Sequence, residues 1–174
     1  QGKNSRVCYC NFEDKTTNGQ PINLVDQTLP ALFGRIDHNH ILNHKGAAGG
    51  GSELIQVGQN QSGTAYFCLI DSNYFLNHLN DGVGERTVTD ESEGITLKSD
   101  SNMVIHNVFK GCNSHSNMRS GHESSFVGNF FIGNGAVASG GIQGGGTDAI
   151  LFHNYLEGLN DDQLSGESAL ELGD

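Results

Sequence analysis

The sequence is poor in proline, in basic residues and in long apolar runs, and each shortage excludes a class of protein. Only 2 of the 174 residues are proline and only 9 are lysine or arginine. No run of 18 apolar residues occurs, so the sequence contains no segment typical of a membrane-spanning helix. The net charge of −11 argues against nucleic acids and anionic membranes as partners, because both bind patches of lysine and arginine. A polyanionic substrate remains open, because a site needs only local positive charge.

Glycine and asparagine, by contrast, are abundant, with 25 glycines and 18 asparagines in the chain. Both residues disfavour helix interiors, and both tolerate left-handed backbone in turns. Charged residues make up only 17%, and short apolar clusters recur throughout, so disorder is not expected. The composition therefore predicts a single domain, residues 1–174, built from many short strands that tight turns connect.

The four cysteines do not form a recognised metal or redox motif. The Cys8-x-Cys10 spacing differs from the Cys-x-x-Cys of such sites, and Cys68 and Cys112 stand alone. We expect four buried thiols, although a disulfide stays open because the sequence does not determine a pairing. The chain begins at Gln1 without a signal peptide, so we expect either a processed chain or a piece of a longer one.

One pattern recurs along the chain: an apolar residue, two further positions, an asparagine, and then apolar residues again. The asparagines are 28, 34, 34, 22 and 25 residues apart and are Asn11, Asn39, Asn73, Asn107, Asn129 and Asn154. A unit of about 22 residues, with extra residues inserted as loops at one corner, explains the uneven spacing. Stacked units of this kind form a parallel β-helix.

The repeat therefore predicts an all-β fold, a right-handed, single-stranded parallel β-helix of about six to seven coils. We expect the asparagines to stack at one corner, where their side chains bond the backbone and each other. A leucine-rich repeat would show its leucine pattern, and a propeller would need about 40 or more residues per blade. Because this is few coils for such a fold, we expect an incomplete chain with an exposed coil edge.

Two cations share a position in successive repeats. Lys98 lies 9 residues before Asn107, and Arg119 lies 10 residues before Asn129. Adjacent coils stack about 4.8 Å apart, so the two cations are expected to lie close together on one face. Stability alone does not explain such a pair, whereas a groove for a polyanion does. We expect both side chains to be exposed, so that replacing either one has little effect on stability.

Other polar residues near this segment are weaker candidates. Glu91 and Glu93 are two residues apart, so their side chains share a face if the segment is a strand. Paired carboxylates are suitable ligands for Ca²⁺. His115 and His122 flank Arg119 and are candidates for substrate contact. No zinc-protease motif, serine-hydrolase elbow or phosphate-binding loop occurs. The interpretation of each of these residues as an ordinary solvated or structural side chain remains open.

At this point the sequence resembles polysaccharide lyase family six, which comprises chondroitinase B and related alginate lyases. The resemblance covers roughly residues 36–160. It rests on Glu91-Ser92-Glu93-Gly94-Ile95-Thr96-Leu97-Lys98-Ser99, Asn107-Val108-Phe109, Arg119-Ser120-Gly121-His122, Asn129-Phe130-Phe131-Ile132-Gly133-Asn134 and Gly140-Gly141-Ile142. Members of the family are right-handed parallel β-helices longer than this chain, so the resemblance implies the same fold and further coils.

The resemblance also implies roles for individual residues. Lys98 matches the Brønsted base, Arg119 the residue that assists protonation of the leaving oxygen, and Glu91 and Glu93 the calcium-binding carboxylates. The chain departs from the family pattern at three positions. Ala47 lies near the position at which the family has a third calcium ligand, an asparagine. Ser120 replaces the histidine after the arginine. Gln143 stands where the family often has an arginine after Gly-Gly-Ile, and it is the third candidate for substrate binding beside His115 and His122. These changes bear on calcium affinity and substrate binding more than on the type of reaction.

The function implied is cleavage of a uronate polymer by β-elimination, in a secreted or periplasmic enzyme. Alginate is the expected substrate, and dermatan or chondroitin the second candidate; Ca²⁺ is the cofactor to consider. Two other functions stay open. One is a non-catalytic β-helix that binds polysaccharide or serves a structural role. The other is an alginate C5-epimerase, which abstracts the same proton but returns it.

Overall fold

The computed structural model is a parallel β-helix, which confirms the predicted fold. It describes residues 4–16, 19–25, 33–45, 53–58, 66–78, 93–113, 115–119, 122–134, 140–159 and 169–172. These residues form 18 strands in three parallel sheets of six strands each, and none of them is in a helix. Consequently no helix of the described residues could cross a membrane. Each coil contributes one strand to each sheet, so the described residues make six coils.

The strands are short, and most contain three residues. The first sheet contains β1 Asn4–Cys8, β4 Phe33–Asp37, β7 Leu69–Asp71, β10 Met103–Ile105, β13 Ser125–Val127 and β16 Ile150–Phe152. The second contains β2 Asn11–Glu13, β5 His40–Leu42, β8 Tyr74–Leu76, β11 Val108–Lys110, β14 Phe130–Ile132 and β17 Tyr155–Glu157. The third contains β3 Ile22–Leu24, β6 Ile55–Val57, β9 Ile95–Leu97, β12 Ser116–Met118, β15 Ile142–Gly144 and β18 Leu170–Leu172.

The core is a set of columns of like residues that run along the axis of the β-helix. In the second sheet the middle residue of each strand points inward, and Phe75, Phe109 and Phe131 stack with ring centroids 4.5 Å apart. In the third sheet the first and third residues point inward, as Ile55 and Val57 do. Because side chains alternate along a strand, the middle residue of each third-sheet strand faces outward.

A buried asparagine ladder lies between the first and second sheets, and it confirms the predicted stacking for five of the six asparagines. Each donates Nδ2–H to the Oδ1 of the next, at 2.9–3.0 Å, from Asn39 through Asn154. The same Oδ1 atoms accept backbone N–H groups, and a second Nδ2–H of each asparagine binds a carbonyl. The amides are therefore fully hydrogen-bonded, which is what allows them to be buried.

The predicted ladder position is wrong by one residue for the sixth asparagine, Asn11. Cys10 occupies the ladder position of the first coil, where its N–H donates to Oδ1 of Asn39, and Asn11 instead begins β2 opposite His40. The residue before each ladder position has a left-handed backbone, with φ of 53–64°, and these residues are Tyr9, His38, Ser72, His106, Gly128 and His153. Three of the six residues are therefore histidines that lie at this corner.

The cysteines differ from the prediction of four buried thiols. Cys68 and Cys112 are buried, whereas Cys10 is exposed and Cys8 is half-buried, and all four are free. Burial raises the pKa of the Cys68 and Cys112 thiols to about 11, which keeps both thiols protonated and unreactive.

A buried histidine pair occupies the corner that follows the second sheet. The Nδ1 atoms of His44 and His78 lie 3.2 Å apart, and both residues are almost completely inaccessible. Desolvation lowers the pKa of His44 to about 4 and, assisted by the nearby His44, that of His78 to about 3. Among the described residues, Nε2 of His78 has no hydrogen-bond partner. Both rings are therefore neutral at pH 7.

Replacing Asn107 with alanine should lower the free energy of unfolding by about 3 kcal/mol or more. Several buried donors and acceptors lose their partner, and each costs about 1–3 kcal/mol. Asn43→Ala is the matched control, because its amide belongs to an exposed ladder with Asp14 and Asn77 and its loss should cost less than about 1 kcal/mol. Urea titration measures both values. Equal losses in the two variants would show that the buried ladder is not a major source of stability.

Stability should also fall in acid because of the histidine pair. Both folded-state pKa values lie below the unfolded value of about 6.5, so the unfolded chain binds more protons below that pH. Stability is therefore complete above pH 6.5 and decreases toward pH 4, by up to about 1.4 kcal/mol per pH unit for each histidine. The His78→Leu variant should flatten this dependence, whereas His40→Gln, at an exposed position, should keep it. Parallel pH profiles for wild type and His78→Leu would contradict the account.

Candidate functional site

The outer face of the third sheet carries a column of polar side chains, one from each strand. Its described members in the central coils are Gln56, Thr96, Asn117 and Gln143, which pair in register. Although they face outward, Thr96 is completely buried and Gln56 and Asn117 nearly so. Longer side chains that flank the strands cover them. We call this outer face, with its flanking residues, the polar face.

Lys98 and Arg119 flank the polar face on one side, at the position that follows the strands. Lys98 comes directly after β9 and Arg119 directly after β12, and Thr96 pairs with Asn117 in these strands. The two cations are therefore at the same position of adjacent coils, as the spacing to the asparagines predicts. In the preceding coil this position is Gly58, whose φ is +82° and where a Cβ would lie 2.8 Å from the Lys98 backbone.

Glu53 and Glu93 flank the polar face on the other side, at the position two residues before the strands. The strands β6 and β9 pair with Ile55 opposite Ile95, which places the two glutamates in the same column. Both carboxylates are buried, with side chains 6% and 8% exposed. Isolated buried carboxylates are strongly unfavourable, so each requires a nearby cation or hydrogen-bond donors.

Each glutamate pairs with the cation of the next coil. Nζ of Lys98 lies 3.4 Å from Oε1 of Glu53, and Nη1 of Arg119 lies 3.7 Å from Oε1 of Glu93. The pairs cross the polar face diagonally and cover Thr96. They also change one expectation: the Lys98 side chain is only 12% exposed, so it is not an exposed groove cation. Removing Lys98 would leave the buried Glu53 carboxylate without its ion pair, which typically costs about 3–5 kcal/mol.

Glu93 is held in a mixed electrostatic environment. Its Oε2 accepts a hydrogen bond from the Thr96 hydroxyl at 2.7 Å. Burial raises the pKa of the Glu93 carboxyl above its usual range, and the neighbouring Glu53 adds to this, whereas Thr96, Arg119 and Lys98 oppose it. The net direction is upward, so an additional positive charge near Glu93 would stabilise its ionised form.

The three predicted substrate-binding residues lie in different environments. The imidazole of His122 is partly exposed, and its Nδ1 lies 2.6 Å from the Thr147 hydroxyl. The Oε1 of Gln143 accepts a hydrogen bond from Asn117 at 2.8 Å, on the polar face. His115 is only 2% exposed and lies directly before β12. Its burial gives no support to the prediction that it contacts substrate.

Glu53 is the residue that sequence reasoning missed. The signal was present, because Glu53-Leu54-Ile55-Gln56-Val57 and Glu93-Gly94-Ile95-Thr96-Leu97 have the same pattern of glutamate and alternating apolar residues. The loops inserted between coils hide this match, since the two glutamates are not one minimal repeat apart. Aligning the third-sheet strands, instead of only the asparagines, would have placed them in one column.

A calcium site is only partly represented among the described residues. Glu91, Ala47 and Ser120 lie outside them, so the predicted pairing of Glu91 with Glu93 stays a prediction. Both oxygens of Glu93 already contact other groups, Thr96 and Arg119. The described residues contain no cluster of three histidine, cysteine or carboxylate groups that could hold a metal ion. Ca²⁺ requires six to eight oxygen ligands, so this part of the chain does not fit the ion by itself.

Comparison with known proteins agrees with this architecture. The family model for chondroitinase B matches residues 1–173. The chain belongs to the chondroitinase B family. Among solved structures it is similar to a PL6 family alginate lyase, AlyGC, with a TM-score of 0.76 and 26% sequence identity. That alignment covers 96% of this chain and 22% of the lyase chain, so this chain spans about a fifth of the length of AlyGC. No curated protein sequence matches significantly.

The family assignment confirms the resemblance to polysaccharide lyase family six and makes the chain a polysaccharide lyase family member. On the polar face, the two cations predicted to act in catalysis lie in adjacent coils.

Any Ca²⁺ binding by this chondroitinase B family member should be weak, because Ala47 offers no side-chain oxygen and Glu93 is engaged by Arg119. Isothermal titration calorimetry of the apo protein with CaCl₂ should show no site of micromolar or tighter affinity. The Glu93→Gln variant is the control, and it should give the same small heat. Tight binding by the wild type that disappears in Glu93→Gln would contradict this prediction.

Proposed function

We propose that the chain is part of a lyase that cleaves a uronate polymer by β-elimination, with alginate as the first candidate substrate. Dermatan or chondroitin is the second. The observation that carries the proposal is the placement of Lys98 and Arg119 at one position of adjacent coils, beside a polar face in a strongly acidic chain. Family membership and the similarity to an alginate lyase support it. A secreted or periplasmic location is part of the same proposal.

The reaction begins with the carboxylate of the uronate unit. Its negative charge opposes removal of the proton at C5, so the site must place positive charge beside it. Arg119 fits this role, because its side chain is 36% exposed and its planar guanidinium can donate two parallel hydrogen bonds to a carboxylate. Substrate binding would then bring a second carboxylate to Arg119, in addition to Glu93.

Lys98 then acts as the base. Its neutral amine takes the C5 proton, the electron pair of the C5–H bond forms the C4–C5 double bond, and the bond from C4 to the glycosidic oxygen breaks. The departing oxygen takes up a proton, which Arg119 assists by hydrogen bonding. Gln143 and His122 are candidates to bind neighbouring sugar units, because each presents a polar group near this side of the β-helix.

A non-catalytic binding role is the second candidate. It is favoured by the departures from the family at Ala47, Ser120 and Gln143, and by the burial of the Lys98 amine in its ion pair with Glu53. An alginate C5-epimerase would use the same proton abstraction without breaking the glycosidic bond. Formation of unsaturated chain ends, followed by their ultraviolet absorbance, distinguishes a lyase from both alternatives.

In the full-length protein, Lys98→Gln should lower turnover on alginate by about 10²- to 10⁴-fold, because a general base is lost. Glutamine keeps a hydrogen-bond donor for Glu53 and so protects the fold better than alanine would. Arg119→Lys should also reduce turnover strongly, since an ammonium group cannot reproduce the planar grip on a carboxylate. Lys110→Gln, at an exposed position of β11, is the matched control and should keep full activity.

The assay measures unsaturated product from alginate and from dermatan sulfate, and circular dichroism verifies folding. Folded Lys98→Gln that cleaves at the wild-type rate would refute the role of Lys98. A wild-type protein that binds alginate but yields no unsaturated product on any uronate polymer would favour the binding role instead.

A further inference from the structure

Glu53 is linked to Lys98 by more than one contact. Its Oε1 faces the Lys98 amine at 3.4 Å, and its Oε2 accepts a hydrogen bond from the Gln20 amide. Gln20 also donates to Gln56 at 3.1 Å, and Gln56 donates to the carbonyl of Gly58 at 2.8 Å. Both carboxylate oxygens therefore have fixed partners, which limits the orientations that Glu53 can adopt.

The coil that contains Glu53 also holds the backbone of Lys98. Its N–H donates to the Val57 carbonyl at 2.7 Å, and Gly58 lies directly against its carbonyl group. The Lys98 residue is thus fixed at its backbone by Val57 and Gly58 and at its amine by Glu53. A lysine side chain has about 2 kcal/mol of rotamer entropy, so holding its amine in one place requires such a partner.

The fold itself does not require a carboxylate at this position. The register places Gln20 opposite Glu53 in the preceding coil and Gly140 at the same position further along the sheet. Neutral residues are therefore compatible with the corner. Burying a glutamate here is unfavourable unless it is paired, and replacing a buried ion pair by neutral groups is often neutral or stabilising. Stability alone therefore gives no reason for a charged residue at position 53, whereas holding the Lys98 amine in place does.

We propose that Glu53 is a positioning residue that holds the Lys98 amine at the polar face for proton abstraction. The inference rests on the proposed lyase function. Two buried carboxylates act on this amine: Glu53 from the preceding coil, 3.4 Å from Nζ, and Glu93 from its own coil through a charge interaction. The direct contact with Glu53 fixes the placement of the amine.

Two substitutions separate position from charge. Glu53→Gln keeps the shape and removes the charge, while Glu53→Asp keeps the charge and withdraws it by one methylene. Each should lower kcat by about 10- to 100-fold with little change in KM, because displacing a catalytic group by about 1 Å can cost 10²-fold. Glu13→Gln, on β2 of the second sheet, is the control and should match the wild type.

A measurement without substrate keeps this proposal separate from the lyase proposal. The protein has five lysines, so selective ¹³C labelling gives few side-chain signals, and the Lys98 signal is the one lost in Lys98→Gln. Its chemical shift should change in Glu53→Gln, because the amine loses its carboxylate partner, and should stay at the wild-type value in the Glu13→Gln control. If wild type cleaves no polymer but this shift occurs, the lyase function fails and the coupling of Glu53 to Lys98 stands.

The positioning role is overturned by either of two results. One is a Glu53→Gln variant with wild-type kcat and KM. The other is a Lys98 signal whose chemical shift does not change in Glu53→Gln. Circular dichroism and urea titration of both variants exclude unfolding as the cause of a loss in activity. If Glu53→Gln does not fold, the Glu53→Asp variant still tests the role through its kcat.

Discussion

The register between stacked coils is the constraint on which the rest of this structure depends. Parallel pairing aligns each strand with the strand one coil away, and the buried asparagine ladder repeats that alignment at one corner with side-chain hydrogen bonds of 2.9–3.0 Å. Loops of different length can then be inserted without displacing the strands. Two residues far apart in sequence, such as Glu53 and Lys98, meet because their coils are adjacent, and the chemistry of the polar face follows from that.

The same register explains why opposite charges alternate across the polar face. The position before the strand holds a glutamate in the coils of β6 and β9, and the position after the strand holds a cation in the coils of β9 and β12. The glutamates pair with cations one coil further on, so two like charges stacked about 4.8 Å apart on each side are compensated across the strand. A substrate carboxylate that reaches Arg119 would compete with Glu93 for it. In the proposed reaction, substrate binding would therefore change the charge around Lys98.

Much of the fold could be predicted from the sequence, because the asparagine pattern marks the same corner in five of the six coils. The phase of Lys98 and Arg119 followed from their distance to that corner, and the structure places them accordingly. The pattern failed at Asn11, where composition supplies an asparagine one residue beyond the true ladder position at Cys10. The spacing of the repeat shows which coil position a residue has, but it does not show how neighbouring side chains cover one another.

The features that the sequence did not predict follow from the way in which neighbouring side chains cover one another. Lys98 looked exposed because lysines usually are, yet a glutamate from the preceding coil encloses its amine. Glu53 went unnoticed because 40 residues separate it from Glu93, a separation that does not correspond to one minimal coil. His115 flanks Arg119 in sequence, but it lies directly before β12 and is almost completely buried.

The central claim is that uronate chains bind at the polar face beside Lys98 and Arg119. Titrating ¹³C-lysine-labelled protein with a short mannuronate oligomer tests it most directly, because the signals report on lysines at different places of the β-helix. The account predicts that the Lys98 signal shifts in a saturable way, that Lys110 on the second sheet does not respond, and that Arg119→Lys weakens the effect. Shifts confined to Lys110 or to other lysines, with Lys98 unchanged, would contradict it.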